Sequence, residues 1–193
     1  MIEDNNTPEE YDKLYETSNI SFERYGGYTD VDRAYLDYII DNFDKNISII
    51  DLGCGTGDIC GYLNEKGYNA IGVDFSKEAL SQAREKYPNV EYIKADMRDL
   101  HTYPDEVFDL VLSIGSHEHI YKTDFSECYR LLKKNGTFIC VLPCEDRDIG
   151  WSRTGHQYEW LLTKDTWKKK LSEFGFTILD IYLHKWIILC RKD

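Results

Sequence analysis

Residues 51 to 58, Asp51-Leu52-Gly53-Cys54-Gly55-Thr56-Gly57-Asp58, set three alternate glycines between an apolar run and a helix-forming stretch, which constrains the fold more than any other part of the chain. The preceding Ile47-Ser48-Ile49-Ile50 is short and β-branched, the pattern of a buried strand. Glycine lets the backbone turn sharply and approach a ligand without Cβ clashes. Ile59 to Lys66 then carries helical residues, whose first turn presents free N–H groups. Together the three parts read as a nucleotide-cofactor cradle, with a plain tight turn as the alternative.

A second apolar run, Ala70-Ile71-Gly72-Val73, ends in Asp74 and Phe75, and Ser76 opens another helical segment. An acidic residue at the end of the second strand is placed to accept hydrogen bonds from ribose hydroxyls. The dinucleotide pattern G-x-G-x-x-G fails here, because Asp58 occupies its third glycine position counted from Gly53. No G-K-[ST] follows the glycines either, so a phosphate-binding loop is not indicated.

Through DLGCGTGD at 51–58, IGVDFS at 71–76 and KADMRDL at 94–100, the chain resembles the class I S-adenosylmethionine-dependent methyltransferases that act on small molecules. The resemblance runs from about residue 47 to 142. It implies that the turn at Gly53, Gly55 and Gly57 lies against the methionine part of S-adenosylmethionine. It further implies that Asp74, with Phe75 beside it, binds the ribose, that Asp96 sits by the adenine amino group, and that Met97 lies near the base. Asp51 is expected to orient the turn. The physical reading agrees: the cofactor carries a sulfonium and an ammonium, and Asp51, Asp74 and Asp96 would supply negative charge around it.

Strands are expected near 47–51, 69–74, 90–94, 107–113, 136–142, 176–182 and 185–191, and helices near 30–43, 57–66, 76–86, 122–133 and 163–173. Such alternation predicts an α/β, doubly wound, mostly parallel seven-stranded sheet, the Rossmann-like methyltransferase fold of the resemblance. Only Leu183-His184 separates the last two strands, too short for a helical crossover, so the C-terminal strand must be antiparallel. Residues 1–193 are expected to be one domain: cap and first helix at 1–43, cofactor core at 47–142, acceptor loop at 143–160, and a helix with a hairpin at 161–193.

With 193 residues, of which 42% are hydrophobic, the chain can bury one substantial core. A formal net charge of −12 argues against a nucleic-acid partner, which needs clustered Lys and Arg. Cys54, Cys60, Cys128, Cys140, Cys144 and Cys190 contain no C-x-x-C pair, so no metal is expected. No membrane-length apolar stretch or secretory leader is visible, and a cytoplasmic, reducing environment is expected.

The fourth strand runs out into Ile114-Gly115-Ser116-His117-Glu118-His119-Ile120. Many small-molecule members of the resembled family read Glu-His-apolar here. The [ND]-P-P-[YF] pattern of enzymes that methylate base amines is absent. Methyl transfer requires the acceptor to line up with the methyl carbon and the departing sulfur, and a hydroxyl acceptor also loses a proton. Histidine suits that proton. His119 is the first candidate base and His117 the second, with a cofactor contact, a structural hydrogen bond or surface exposure as the alternatives. Ser113 and Gly115 are expected to line the cofactor.

Two outer segments are expected to choose the acceptor. Near the N-terminus, Tyr11 and Tyr15 are four apart and would share one helix face, and Tyr28 or Arg24 is placed to meet the cofactor's carboxylate. In the segment Pro143–Trp160, Arg147 and Arg153 suit an anionic group, Trp151 and Tyr158 suit a ring or a cation, and His156 opens a polar-aromatic run. The expectation is methyl transfer from S-adenosylmethionine to an oxygen or nitrogen of a small polar molecule. A nicotinamide-dependent oxidoreductase and a non-catalytic cofactor-binding subunit are the alternatives.

Overall fold

The computed structural model describes residues 6–17, 30–154, 157–182 and 187–193. Helices α1 (Pro8–Thr17) and α2 (Asp30–Asn42) precede strand β1 (Ser48–Leu52). The core continues as α3 (Asp58–Glu65), β2 (Asn69–Asp74), α4 (Lys77–Lys86), β3 (Tyr92–Lys94) and β4 (Phe108–Ile114). After a 3₁₀ turn at His117–His119 come α5 (Ser126–Leu131), β5 (Leu132–Val141), β6 (Cys144–Glu145), β7 (Gly150–Thr154) and β8 (Gln157–Thr163). The chain ends with α6 (Lys164–Glu173), β9 (Phe176–Tyr182) and β10 (Ile187–Lys192).

Seven strands form one sheet in the order β3-β2-β1-β4-β5-β10-β9, and β10 runs antiparallel to both its neighbours. This is the fold expected from the sequence. Its central strands bury both faces, and their side chains alternate between two cores. Ile49, Leu110, Leu112 and Ile139 join α2, α3 and α4 on one side, while Ile50, Leu52, Val111 and Phe138 join α5 and α6 on the other. Strands covered on both faces favour continuous apolar runs, which Leu110–Leu112 supplies and which β1 supplies but for the buried Asp51.

Two boundaries differ from expectation. The helix expected over 122–133 is confined to Ser126–Leu131, and the strand expected at 136–142 begins at Leu132. Asp124 accepts a hydrogen bond from the Ser126 N–H at 2.8 Å, a local turn that delays the helix. Leu132 then pairs with Phe108, and the register slips before Thr137 meets Leu110, absorbing Asn135 at φ +62°.

The third difference is larger. Residues 143–160, expected as a loop, are mostly a second sheet in the order β6-β8-β7, with β7 and β8 antiparallel from Gly150↔Leu161 to Thr154↔Gln157. In β8, Gln157-Tyr158-Glu159-Trp160 alternates polar with aromatic residues, a pattern that favours a pleated, half-buried surface over irregular chain.

Helix α1 opens with a capping box. The Glu10 N–H donates to Thr7 Oγ1 at 3.3 Å, and the Thr7 N–H donates to Glu10 Oε2 at 3.1 Å, with Pro8 at the first helical position. The helix docks on the start of α4, where Asp12 Oδ1 accepts from Ser76 Oγ at 2.7 Å and the Glu78 N–H at 3.1 Å.

Candidate active site

The carboxyl ends of β1, β2 and β4 face one pocket, the location that parallel α/β sheets favour for ligands. Gly53, Asp74, Phe75, Asp96 and Met97 form its sheet side. Gly53 has φ +79°, and a Cβ there would stand 2.5 Å from Ser116 Cβ. Only glycine fits that spot, so the bare backbone at the end of β1 is a spatial requirement as well as a conformational one.

Asp74 is held by the turn it faces. Its Oδ2 accepts the Gly55 N–H at 2.8 Å, and its Oδ1 accepts the Ser76 N–H at 2.9 Å. Burial raises its pKa, and the backbone N–H groups oppose that rise. A carboxylate has about four acceptor positions, and backbone N–H groups, that of Phe75 included, do not fill them all. Asp96 is partly exposed; burial works to raise its pKa, but a bidentate Arg98, with Nη2 at 2.6 Å from Oδ2, holds the carboxyl below its ordinary value. Gly57 starts α3 in the left-handed conformation, with its carbonyl accepting from the Tyr92 hydroxyl.

Asp51 takes a different place from the rim expected for it. Its side chain is buried under the turn, Oδ2 accepts the Cys60 thiol at 3.8 Å, and Oδ1 has no hydrogen-bond partner. Burial pushes its carboxyl up to about 7, the Cys60 thiol opposes this and the charge of Asp74 adds to it. Two carboxylates, Asp74 and Asp96, therefore line the pocket itself.

The opposite wall comes from α1 and the 3₁₀ turn. Tyr11 and Tyr15 both line the pocket, as their spacing predicts, and the Tyr11 ring lies 5.0 Å from Phe75 and 6.4 Å from His119. Gly115, Ser116, His119 and Ile120 complete this side. His119 Nδ1 lies 2.9 Å from the Tyr158 carbonyl. A carbonyl only accepts, so Nδ1 carries the hydrogen and the neutral ring keeps its lone pair on Nε2. Asn6 Nδ2 donates to the carbonyls of His119 at 2.7 Å and Tyr158 at 2.9 Å, which fastens three distant parts of the chain together.

The two histidines have opposite surroundings. His117 lies in the core, stacked on Phe125 at 4.7 Å, with Nδ1 at 2.5 Å from Ser113 Oγ and Nε2 at 3.3 Å from Cys128 Sγ. Burial pushes its pKa down to about 4 against the pull of Asp124. Neither His117 nor Ser113 lines the pocket. Ser113 instead bridges His117 and Ser116, whose Oγ donates to the Leu52 carbonyl at 2.8 Å. The expectation of a second catalytic histidine and of Ser113 beside the cofactor thus meets a buried, hydrogen-bonded pair. Glu118 is also buried; desolvation pushes its carboxyl up to about 7 against the pull of His119.

Among the residues expected to meet the acceptor, Tyr158 lies on β8 and reaches the site through its carbonyl. Trp151 and Arg153 take places on β7, and Arg147 is exposed before it. Tyr28, Arg24 and His156 lie outside the described residues. Asn6, Arg98 and Ser116 line the pocket without having been singled out in the sequence. Arg98 lies within the KADMRDL motif, whereas nothing local marks Asn6.

Residues 50–140 match the family model described as a methyltransferase domain. The chain is 27% identical over 170 residues to the phosphoethanolamine N-methyltransferase of Plasmodium falciparum, covering 74% of this chain and 64% of that protein. It is also 27% identical over 171 residues to a Campylobacter jejuni ubiquinone/menaquinone biosynthesis C-methyltransferase, covering 70% of this chain and 73% of the relative. In fold it is similar to the 1,6-didemethyltoxoflavin-N1-methyltransferase of Burkholderia thailandensis, solved with bound S-adenosylhomocysteine. That likeness has a TM-score of 0.70 at 19% identity, over 96% of this chain and 90% of the other. Residues 50–140 are thus a methyltransferase domain, and the findings together support a class I S-adenosylmethionine-dependent methyltransferase. Its cofactor is S-adenosylmethionine, and the phosphoethanolamine and didemethyltoxoflavin enzymes among its likenesses are named for small-molecule acceptors. Among the described residues no helix is long and apolar enough to cross a membrane.

Proposed function

We propose that this protein transfers a methyl group from S-adenosylmethionine to a nitrogen or oxygen atom of a small polar molecule. When bound, the cofactor supplies a methyl group already activated on a sulfonium. Gly53 offers bare backbone to its methionine part, Asp74 its remaining acceptor positions to the ribose, and Asp96 with Met97 a polar and an apolar contact to the base. A pocket lined by Gly53, with a carboxylate pre-oriented by backbone N–H groups on its wall, fits such a ligand. Tyr11 and Tyr15 close over the same pocket and keep water from it.

The observation that carries the reading is His119. It is the histidine on the pocket wall, and its ring is fixed by the Tyr158 carbonyl so that Nε2 is the available atom. An acceptor placed between this nitrogen and the glycine cradle is positioned for displacement at the methyl carbon, and its proton leaves toward the His119 end. Two of the relatives are named for methylation at nitrogen and one for methylation at carbon. The polar wall supports nitrogen or oxygen, whose lone pairs it can orient. Calorimetry with S-adenosylhomocysteine and with NADH, followed by a radiolabelled methyl-transfer screen of small amines and alcohols, tests the reading. Heat with the first ligand and labelled product that His119→Ala abolishes are expected. Binding of NADH alone, or full turnover by His119→Ala, would refute it.

A further inference from the structure

Beside the pocket, at the His119 wall, lies a group of side chains that methyl transfer by positioning alone does not use. Glu118, His119 and Glu159 each offer one ligand atom, and these atoms lie within 4.8 Å of one another. We propose that the three side chains bind one divalent first-row metal ion, of Mn²⁺ or Zn²⁺ type, beside the acceptor.

Three observations carry this. Glu118 Oε2 is buried with no hydrogen-bond partner, while Oε1 stands 4.0 Å from His119 Nε2. A buried carboxylate oxygen without a donor is costly, and a bound ion is one of the few things that repair it. His119 is then held as metal-bound imidazoles are held: one ring nitrogen donates to a carbonyl, which fixes the tautomer and turns the other lone pair toward the carboxylates. Finally, the cluster adjoins the pocket. A Cβ built on Gly115, which lines the pocket, would stand 3.7 Å from Glu118 Oε1, so the glycine leaves the carboxylate next to the acceptor space.

The donor set names the ion class. One imidazole and two carboxylates suit Zn²⁺ and Mn²⁺ better than Ca²⁺ or Mg²⁺, which prefer oxygen ligands alone. Ligand atoms about 2.0–2.2 Å from a shared ion stand roughly 3–4 Å apart, so binding would draw the three together by less than about 1 Å. Three protein ligands leave positions open toward the pocket, where an acceptor oxygen or nitrogen could enter. The inference rests on the methyl-transfer reading for the pocket's role; with an ion on the His119 lone pair, the ion would polarise the acceptor and lower its pKa, and the proton would pass to solvent instead of to His119.

Titration of the folded full chain with Mn²⁺, following loss of the free-ion paramagnetic resonance signal, tests the site directly. One Mn²⁺ per chain is expected, released by chelator and displaced by Zn²⁺. Glu159→Gln and His119→Asn should each weaken binding by about tenfold or more, whereas His101→Ala, on a remote exposed histidine, should leave it unchanged. Glu118→Gln should do the same as the first two; if it does not fold, those two variants decide. No saturable binding of either ion, or binding that Glu159→Gln and His119→Asn leave intact, overturns the proposal. A chain that binds Mn²⁺ here and transfers no methyl group keeps the site and loses the methyl-transfer reading. One that transfers methyl groups in chelator and binds no Mn²⁺ does the reverse.

Discussion

The two halves of the pocket are built by different means. On the cofactor side, backbone does the positioning: the Gly55 and Ser76 N–H groups orient Asp74, and the conformation of Gly53 sets the floor. On the acceptor side, side chains and carbonyls from three distant stretches meet, with Asn6 tying His119 to Tyr158 across as many as 152 positions of sequence. The first half is contiguous in the chain and rigid by construction. The second exists only once the fold has formed, and each member can change without disturbing the sheet. A protein class that keeps one cofactor and varies its acceptors has reason to divide its site this way.

Breaking the cofactor half should have the largest effect. Gly53→Ala adds left-handed strain of about 1–2 kcal/mol and overpacking of about 1–3 kcal/mol against Ser116, so S-adenosylhomocysteine binding should weaken by roughly a hundredfold in calorimetry. Binding within a few-fold of the wild type would mean that the cradle lies elsewhere. On the acceptor half, His119→Ala should lower turnover by about 10²–10⁴ while cofactor affinity and melting temperature barely move. A parallel loss of cofactor affinity would erase the division between the halves.

Two buried groups outside the pocket sharpen the comparison through pH. His117 has its pKa depressed to about 4, so its contribution to stability is complete above its unfolded value of about 6.5 and is lost as pH falls toward 4. Asp51 has its pKa raised to about 7, so its contribution is complete below the unfolded value of about 3.9 and is lost as pH rises through 7. The two slopes are opposite. Relative to wild type, His117→Phe should gain about 3 kcal/mol on going from pH 7 to pH 4, and Asp51→Asn should gain a similar amount in the other direction, as read by denaturant unfolding. Difference curves that stay flat with pH would place both groups in contact with water. The smallest effect is expected at Arg147, exposed before β7: Arg147→Ala should change kcat/KM by roughly twofold or less, about 0.5 kcal/mol.

The same division explains what could be read from the chain alone. Gly53, Asp74 and Asp96 are recognisable because each sits at the end of a strand whose apolar run marks its position. The mostly parallel sheet with an antiparallel C-terminal strand follows from the alternation of elements and the short segment expected between the last two strands. The acceptor side was legible only at His119, whose Glu-His-apolar setting is local. His117, two positions earlier, carries the same letter with the opposite fate, because the 3₁₀ turn sends one ring into the core and the other to the pocket. Residues 143–160 read as a loop in sequence because their mixed polar and aromatic residues carry little periodicity, and the pairing of β7 with β8 and the packing of β8 on the His117–His119 turn are long-range. Glu159 could not be placed beside Glu118 without knowing that β8 crosses that turn.

The position of β10 bears on how the chain is made. Ile187–Lys192 lies between β5 and β9, bonded to both, although it is the strand furthest along the sequence. On the ribosome, β5 must therefore wait with an open hydrogen-bonding edge of apolar residues, Phe138 to Val141, until residue 192 has cleared the exit tunnel. A message truncated before codon 187 would release a nascent polypeptide with that edge bare, a natural client for chaperones and proteases.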